Sequence, residues 1–296
     1  MKKIYILFLL FASYINVTAQ QLPQLTQYVF NKYIINPAAA GMDENYVGRS
    51  THRYQWEGIT DAPRTYTLSV CGPSKNRKFG YGGYVYTDNV GPTRRTGFQL
   101  SYAYHMQLST TLKLSFAAGI GLQQFKIDGD KIILRDADDL ALNNSVRSNL
   151  LPDATFGTML YDENLYFGIS LQNLIPSKLN LYDNNAESKL SVHPTAIGGY
   201  KFNISDDFKL EPSFLVKYVS PVPLKVDLTL RALIKNMIWI GGTYRTDDAV
   251  AALFGYEHKN GLSLAYSYDF TTSNIKNYST GSHELMLGFK FGAITK

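Results

Sequence analysis

Beyond about residue 45 apolar and polar positions alternate with a period of two, and almost no stretch repeats at helical spacing. Leu262, Leu264, Tyr266, Tyr268 and Phe270 interleave with Ser263, Ala265, Ser267 and Asp269. In the last such segment Leu285, Leu287, Phe289 and Phe291 alternate with Glu284, Met286, Gly288 and Lys290. One face is bulky and apolar; the other is small, polar or charged. The pattern predicts strands near 46–57, 63–72, 79–88, 96–107, 112–127, 153–162, 164–173, 192–203, 207–219, 222–235, 236–246, 249–259, 261–271 and 281–292. Alternation alone suits a soluble sandwich and a membrane barrel equally.

Three features favour a transmembrane antiparallel β-barrel of the outer membrane. The strand count is even, about fourteen, and most strands reach the roughly 9–11 residues that a tilted crossing needs. Connections after even strands are tight, as at Pro73 to Lys78, Asp162 to Asn164 and Lys259 to Gly261. Those after odd strands include the long ones, Asp128 to Pro152, Leu174 to Ser191 and Thr272 to Thr280. Short periplasmic turns and longer extracellular loops are the outer-membrane arrangement, and a sandwich gives no reason for that parity. Aromatic residues recur along the strands, including Tyr46, Tyr54, Trp56, Tyr84, Tyr86, Tyr166 and Trp239, where interfacial belts would use them. With 22 Tyr, 16 Phe and only 18% charged residues, the composition fits a wall that half faces lipid.

The first residues read differently. Lys2 and Lys3, the apolar run Ile4 to Ala12 and the small-residue site Val17-Thr18-Ala19 predict a secretory signal peptide over 1–19. Residues 20–44 are expected to form an N-terminal periplasmic or lumen-plugging segment, and 45–296 the barrel. The formal charge of +5 falls to +3 without the two leader lysines, and no basic run marks a nucleic-acid arm. The single Cys71 excludes a disulfide framework and a Cys-rich zinc module, and is expected as a buried or lipid-facing thiol.

Several motifs stand in order along the chain: QLTQYVFNKYIINPAAAG (Gln24 to Gly41), RYQWEGITDAPRTYTLS (Arg53 to Ser69), DNVGPTRRTGFQLSYAYHMQLS (Asp88 to Ser109), YRTDDAVAALFGYE (Tyr244 to Glu257) and LAYSYDFTTSNIKNYSTGSHELML (Leu264 to Leu287). Together they resemble the PorP/SprF family of outer-membrane proteins of Bacteroidota, over essentially the whole mature chain. The resemblance implies an outer-membrane barrel working with type IX secretion components. It also implies assistance to secretion and cell-surface attachment of a partner adhesin bearing a C-terminal sorting domain. Its alternatives are a structural link to the periplasmic type IX ring, or a general diffusion pore. Surrounding outer-membrane lipid or lipopolysaccharide is the remaining expected partner, and nucleic acid is not one.

Candidate sites are few. In the opening segment Tyr28, Phe30, Asn31 and Asn36 could meet inward side chains of a lumen. Arg49, Arg53, Gln55 and Glu57 share one face of the first strand, with Tyr54 and Trp56 on the other. Because a basic residue facing lipid near the midplane costs about 2–4 kcal/mol, the charged row is expected inward. Arg64, Arg94 and Arg95 could extend that basic lumen near the outer rim. Asp128, Asp130, Asp136, Asp138 and Asp139 crowd one loop but miss the twelve-residue calcium pattern, so a solvated loop is expected. The five histidines lack metal spacing, and neither a nucleophile motif nor a phosphate loop appears, so no cofactor and no enzymatic activity are expected.

Overall fold

The computed structural model describes residues 23–132, 146–179 and 188–292. Fourteen strands make the wall: β1 (Tyr46–Glu57), β2 (Arg64–Pro73), β3 (Phe79–Val90), β4 (Thr93–Gln107), β5 (Lys113–Asp128), β6 (Val146–Tyr161), β7 (Leu165–Gln172), β8 (His193–Tyr200), β9 (Phe208–Val219), β10 (Val222–Ile234), β11 (Ile238–Arg245), β12 (Ala249–Glu257), β13 (Leu262–Thr271) and β14 (Gly281–Phe291). Each pairs antiparallel with its neighbours, and β1 pairs with β14 from Tyr46↔Phe291 to Glu57↔Gly281. That last pairing closes the sheet. Closure removes every edge, as a lipid surround requires. Among the described residues no helix is long and apolar enough to cross a membrane.

Burial follows strand parity. On β4 Phe98, Leu100, Tyr102, Tyr104 and Met106 are exposed, while Gln99, Ser101, Ala103 and His105 are buried. On β13 Leu262, Leu264, Tyr266 and Phe270 are exposed, while Ser263, Ala265, Ser267 and Asp269 are buried. A wall with apolar residues outside and polar residues inside is stable only where the outer solvent is hydrocarbon.

Boundaries differ from expectation in three places. β6 begins at Val146, seven residues before the expected start, because β5 and β6 stay paired up to Asp128↔Val146. Pro152 is accommodated within that ribbon, opposite Leu122. β4 begins at Thr93, leaving Gly91 and Pro92 as the whole turn, with Gly91 at φ +56°. β8 stops at Tyr200, with a separate two-residue strand, Phe202–Asn203, pairing on β9. The connection after β7 also carries a small hairpin, Lys178–Leu179 with Ser188–Lys189. Of the acidic loop, Asp136, Asp138 and Asp139 lie outside the described residues, as do residues 1–22, the whole expected signal peptide (1–19) among them.

Residues 23–45 precede β1, and those up to Met42 pack against the inward face of the wall. Their one helical turn, α1 (Lys32–Ile35), ends at Asn36, whose extended backbone (φ −142°, ψ 115°) is the conformation favoured before proline. Pro37 then opens a 3₁₀ turn, Pro37–Ala39, with its fixed φ already set. The Asn36 side chain accepts the Ala38 N–H at 3.0 Å, capping that turn.

Candidate functional site: the filled lumen

The inner surface becomes a site because the opening segment runs along it from the long-loop half to the short-turn rim. At the upper end Lys217 Nζ donates to Gln24 Oε1 at 3.1 Å. Below it, the backbone N–H groups of Thr26 and Gln27 donate to the two oxygens of Glu284, at 2.8 and 2.9 Å. The Thr26 hydroxyl donates to Asp269 at 2.9 Å and accepts from Arg53 Nη1 at 2.9 Å and Arg245 Nη2 at 3.1 Å. Arg53 bridges Asp269 at 2.7 Å and Glu284 at 3.1 Å, and Arg245 bridges Asp269 at 3.0 Å and Asp227 at 3.1 Å. Thr26, Gln27 and all five charged residues from Arg53 to Glu284 in this network are buried, Arg53 to 1% and Glu284 to 0% exposure. Charges so enclosed hold only when paired and fully hydrogen-bonded, and the segment's own backbone supplies part of that pairing.

Further down, ring packing takes over. The Tyr28 hydroxyl donates to Thr229 Oγ1 at 3.0 Å. Phe30 stacks on Trp239 with centroids 4.2 Å apart, and the Arg231 guanidinium lies 4.1 Å from the Phe30 ring while pairing with Glu211 at 2.6 Å. Asn31 donates to Ser69 Oγ at 3.0 Å, and the Tyr33 hydroxyl meets Ser101 Oγ at 2.7 Å. Lys32 lies 4.1 Å over the Tyr166 ring. Desolvation lowers its ammonium to about 8, with the Glu211 carboxylate pulling the other way.

At the lower end the wall is cut to receive the segment. Asn36 Nδ2 donates to the carbonyls of Thr158 and Ile169 at 3.0 and 3.2 Å. Ser170 and Ser115 donate to the Ile35 and Ala38 carbonyls, both at 2.7 Å. Glycines open the space: a methyl at Gly80 would lie 1.9 Å from the Ala40 oxygen, and one at Gly157 2.1 Å from Asn36 Oδ1. Gly157→Ala is therefore expected to lift the Asn36 turn off the wall, at the roughly 1–3 kcal/mol typical of overpacking. Limited proteolysis of the purified barrel should then cut within 23–41 faster than in wild type.

Sequence-expected residues divide among three places. Tyr28, Phe30, Asn31, Asn36 and Arg53 meet in the lumen, as does Arg95, whose Nη2 donates to Gln123 Oε1 at 2.6 Å. Arg49 lines a cavity of about 620 Å³ at the short-turn rim, with Lys32, Arg77, Glu163 and Trp239. Gln55 and Trp56 form a bulge in β1 at the long-loop rim, with Trp56 at φ +53°, and Glu57 lies just beyond it. The single inward face expected for Arg49 through Glu57 therefore ends at the bulge, which breaks the alternation. Arg64 and Arg94 do not extend a basic lumen; both fall on the outward parity and are exposed. Tyr84, Tyr86, Tyr166 and Trp239, expected in the interfacial belts, point inward instead, and Tyr84 packs edge-on against Tyr33 at 6.0 Å. Cys71 is buried against the segment as a free thiol. Among the described residues no group of His, Cys, Asp or Glu is placed to hold a metal.

Sequence reasoning did not single out Thr26, Arg245, Asp269 or Glu284 as site residues. For Arg245, Asp269 and Glu284 the signal was a charged residue on the inward parity of a strand, which says where a side chain points but not what it meets.

A closed fourteen-stranded sheet, apolar outside and polar within, defines an integral outer-membrane barrel. The family model for the type IX secretion system membrane protein PorP/SprF matches residues 17–289, and the chain belongs to that family. The comparison with curated proteins finds no match. Solved structures with the same architecture include a Pseudomonas aeruginosa FadL homologue, at 12% identity and TM-score 0.53, over 92% of this chain and 95% of that one. The Ralstonia pickettii toluene transporter TbuX aligns at 9% identity and TM-score 0.51, over 88% and 93%. The Acinetobacter baumannii outer membrane protein Omp33 aligns at 8% identity and TM-score 0.50, over 83% and 98%. At such identities the likeness concerns the fold alone.

Proposed function

We propose that this barrel assists type IX secretion by binding the C-terminal sorting domain of an exported adhesin and holding it for surface attachment. The observation that carries this reading is the filled lumen. With residues 23–41 packed against inward side chains from Arg53 to Ser170, recognition falls to the rims, and long loops on a rigid scaffold are where binding sites usually sit. Deleting the gene is expected to abolish surface display of one adhesin class, scored by antibody on whole cells, while other type IX cargo still reaches the medium. Loss of all cargo would instead support a structural link to the periplasmic ring. The charged cavity at the short-turn rim favours that second reading, since it opens toward the periplasm. We further propose that residues 23–41 act as a plug and that the barrel is not an enzyme.

A further inference from the structure

The outward faces of the fourteen strands carry only three Lys or Arg residues, and all three stand together. Arg64 on β2 is opposite Asn89, Asn89 is opposite Arg94 on β4, and Arg94 is opposite Lys126 on β5. They form one row across four adjacent strands at the long-loop ends. Among the described residues none has an ion-pair partner; Arg64 lies 5.4 Å from the Tyr54 ring, and Arg94 Nε donates to Thr87 Oγ1 at 3.3 Å. Arg94 and Lys126 are direct cross-strand partners, a placement that sets their Cβ atoms about 5 Å apart and puts two like charges on one face, which destabilises a sheet unless something neutralises it.

The surroundings say what would neutralise it. Toward the membrane centre the next outward row is Tyr66, Thr87, Thr96 and Gln124, and the one after is Leu68, Val85, Phe98 and Leu122, all four exposed. The cations therefore stand one polar row above the apolar band, at headgroup level. By the parity of its loops this rim faces outward. Guanidinium and ammonium side by side fit phosphate oxygens. We propose that Arg64, Arg94 and Lys126 form a binding site for the phosphorylated headgroup of an outer-leaflet glycolipid, whose acyl chains lie along the Leu68–Phe98–Leu122 band. This inference rests on the wall alone and is independent of the adhesin reading.

Native mass spectrometry of the detergent-purified full barrel with added bis-phosphorylated lipid A tests it. The wild type is expected to retain lipid A, and Arg94→Ser with Lys126→Ser to weaken retention about tenfold or more, the loss expected when charge-assisted hydrogen bonds are removed. Lys75→Ser, in the turn at the opposite rim, should bind as wild type does. Inorganic phosphate, dephosphorylated lipid A and phosphatidylglycerol should not compete. Equal retention by the double variant, or equal binding of dephosphorylated lipid A, would overturn the site. Competition by phosphatidylglycerol would overturn the assignment to a glycolipid, and competition by inorganic phosphate the need for the acyl chains.

Discussion

In planar bilayers the intact chain is expected to carry no stepwise current, and a variant lacking residues 23–41 to conduct. The difference should be the largest that any change in this protein produces, because it exchanges a filled lumen for an aqueous one. Fourteen strands fall between the eight-stranded barrels whose interiors side chains fill and the sixteen- to eighteen-stranded porins that leave a channel. Side chains alone do not fill this interior. The segment does so, touching β2 through Ser69, β4 through Ser101, β5 through Ser115, β7 through Ser170, β10 through Thr229 and β14 through Glu284. What deletion leaves is a lining of hydroxyls and charges that water solvates, so the shortened wall retains a reason to fold. The Arg53–Asp269–Arg245 pairings survive, since they are made between strands. Currents of equal size from both chains would sink the plug and restore the diffusion-pore reading. Silence from both, with the variant shown to be folded by its heat-modifiable mobility, would mean that the rims close the barrel unaided.

Much of this architecture was legible because strand parity is a local property. Whether Leu287 and Glu284 lie on opposite faces follows from the alternation itself, and the alternating loop lengths give the orientation. The bulge at Trp56 was not legible, because a single residue in the left-handed region shifts every face after it. The inward turn of Tyr84 and Tyr86 was hidden for another reason. In a barrel an aromatic residue can serve the outer belt or the lumen, and only its parity against paired neighbours separates the two. Arg64 and Arg94 show the converse: treated as lumen residues by their charge, they face outward by register, opposite Asn89 and beside Lys126. The segment's seat was the least legible part. Gly80 and Gly157 look like the glycines of any curved sheet until Ala40 and Asn36 are found against them. The carboxylates that receive Thr26 lie 243 and 258 residues away in sequence, and no local pattern joins them.

The ion network should respond strongly to Arg53→Met. Among the described residues Arg53 is the one cation ion-paired with Glu284, whereas Asp269 keeps Arg245. Removing it leaves one carboxylate enclosed without a cation, the situation in which breaking a buried pair costs about 3–5 kcal/mol. Methionine keeps the stem's packing, so the loss reads the charge and not a cavity. Urea unfolding of the barrel from lipid vesicles should show that loss, and the Thr26–Gln27 end of the segment should become cleavable, because its amide donors depend on an ordered Glu284. Adding Glu284→Gln to Arg53→Met should recover much of the stability, since a neutral amide no longer needs the guanidinium and its oxygen can still accept from the segment. Glu284→Gln alone should cost less than Arg53→Met alone, for Arg53 then retains Asp269 and the Thr26 hydroxyl. If instead the two single losses simply add in the double variant, the residues act independently and the network is not the clasp that fixes the segment.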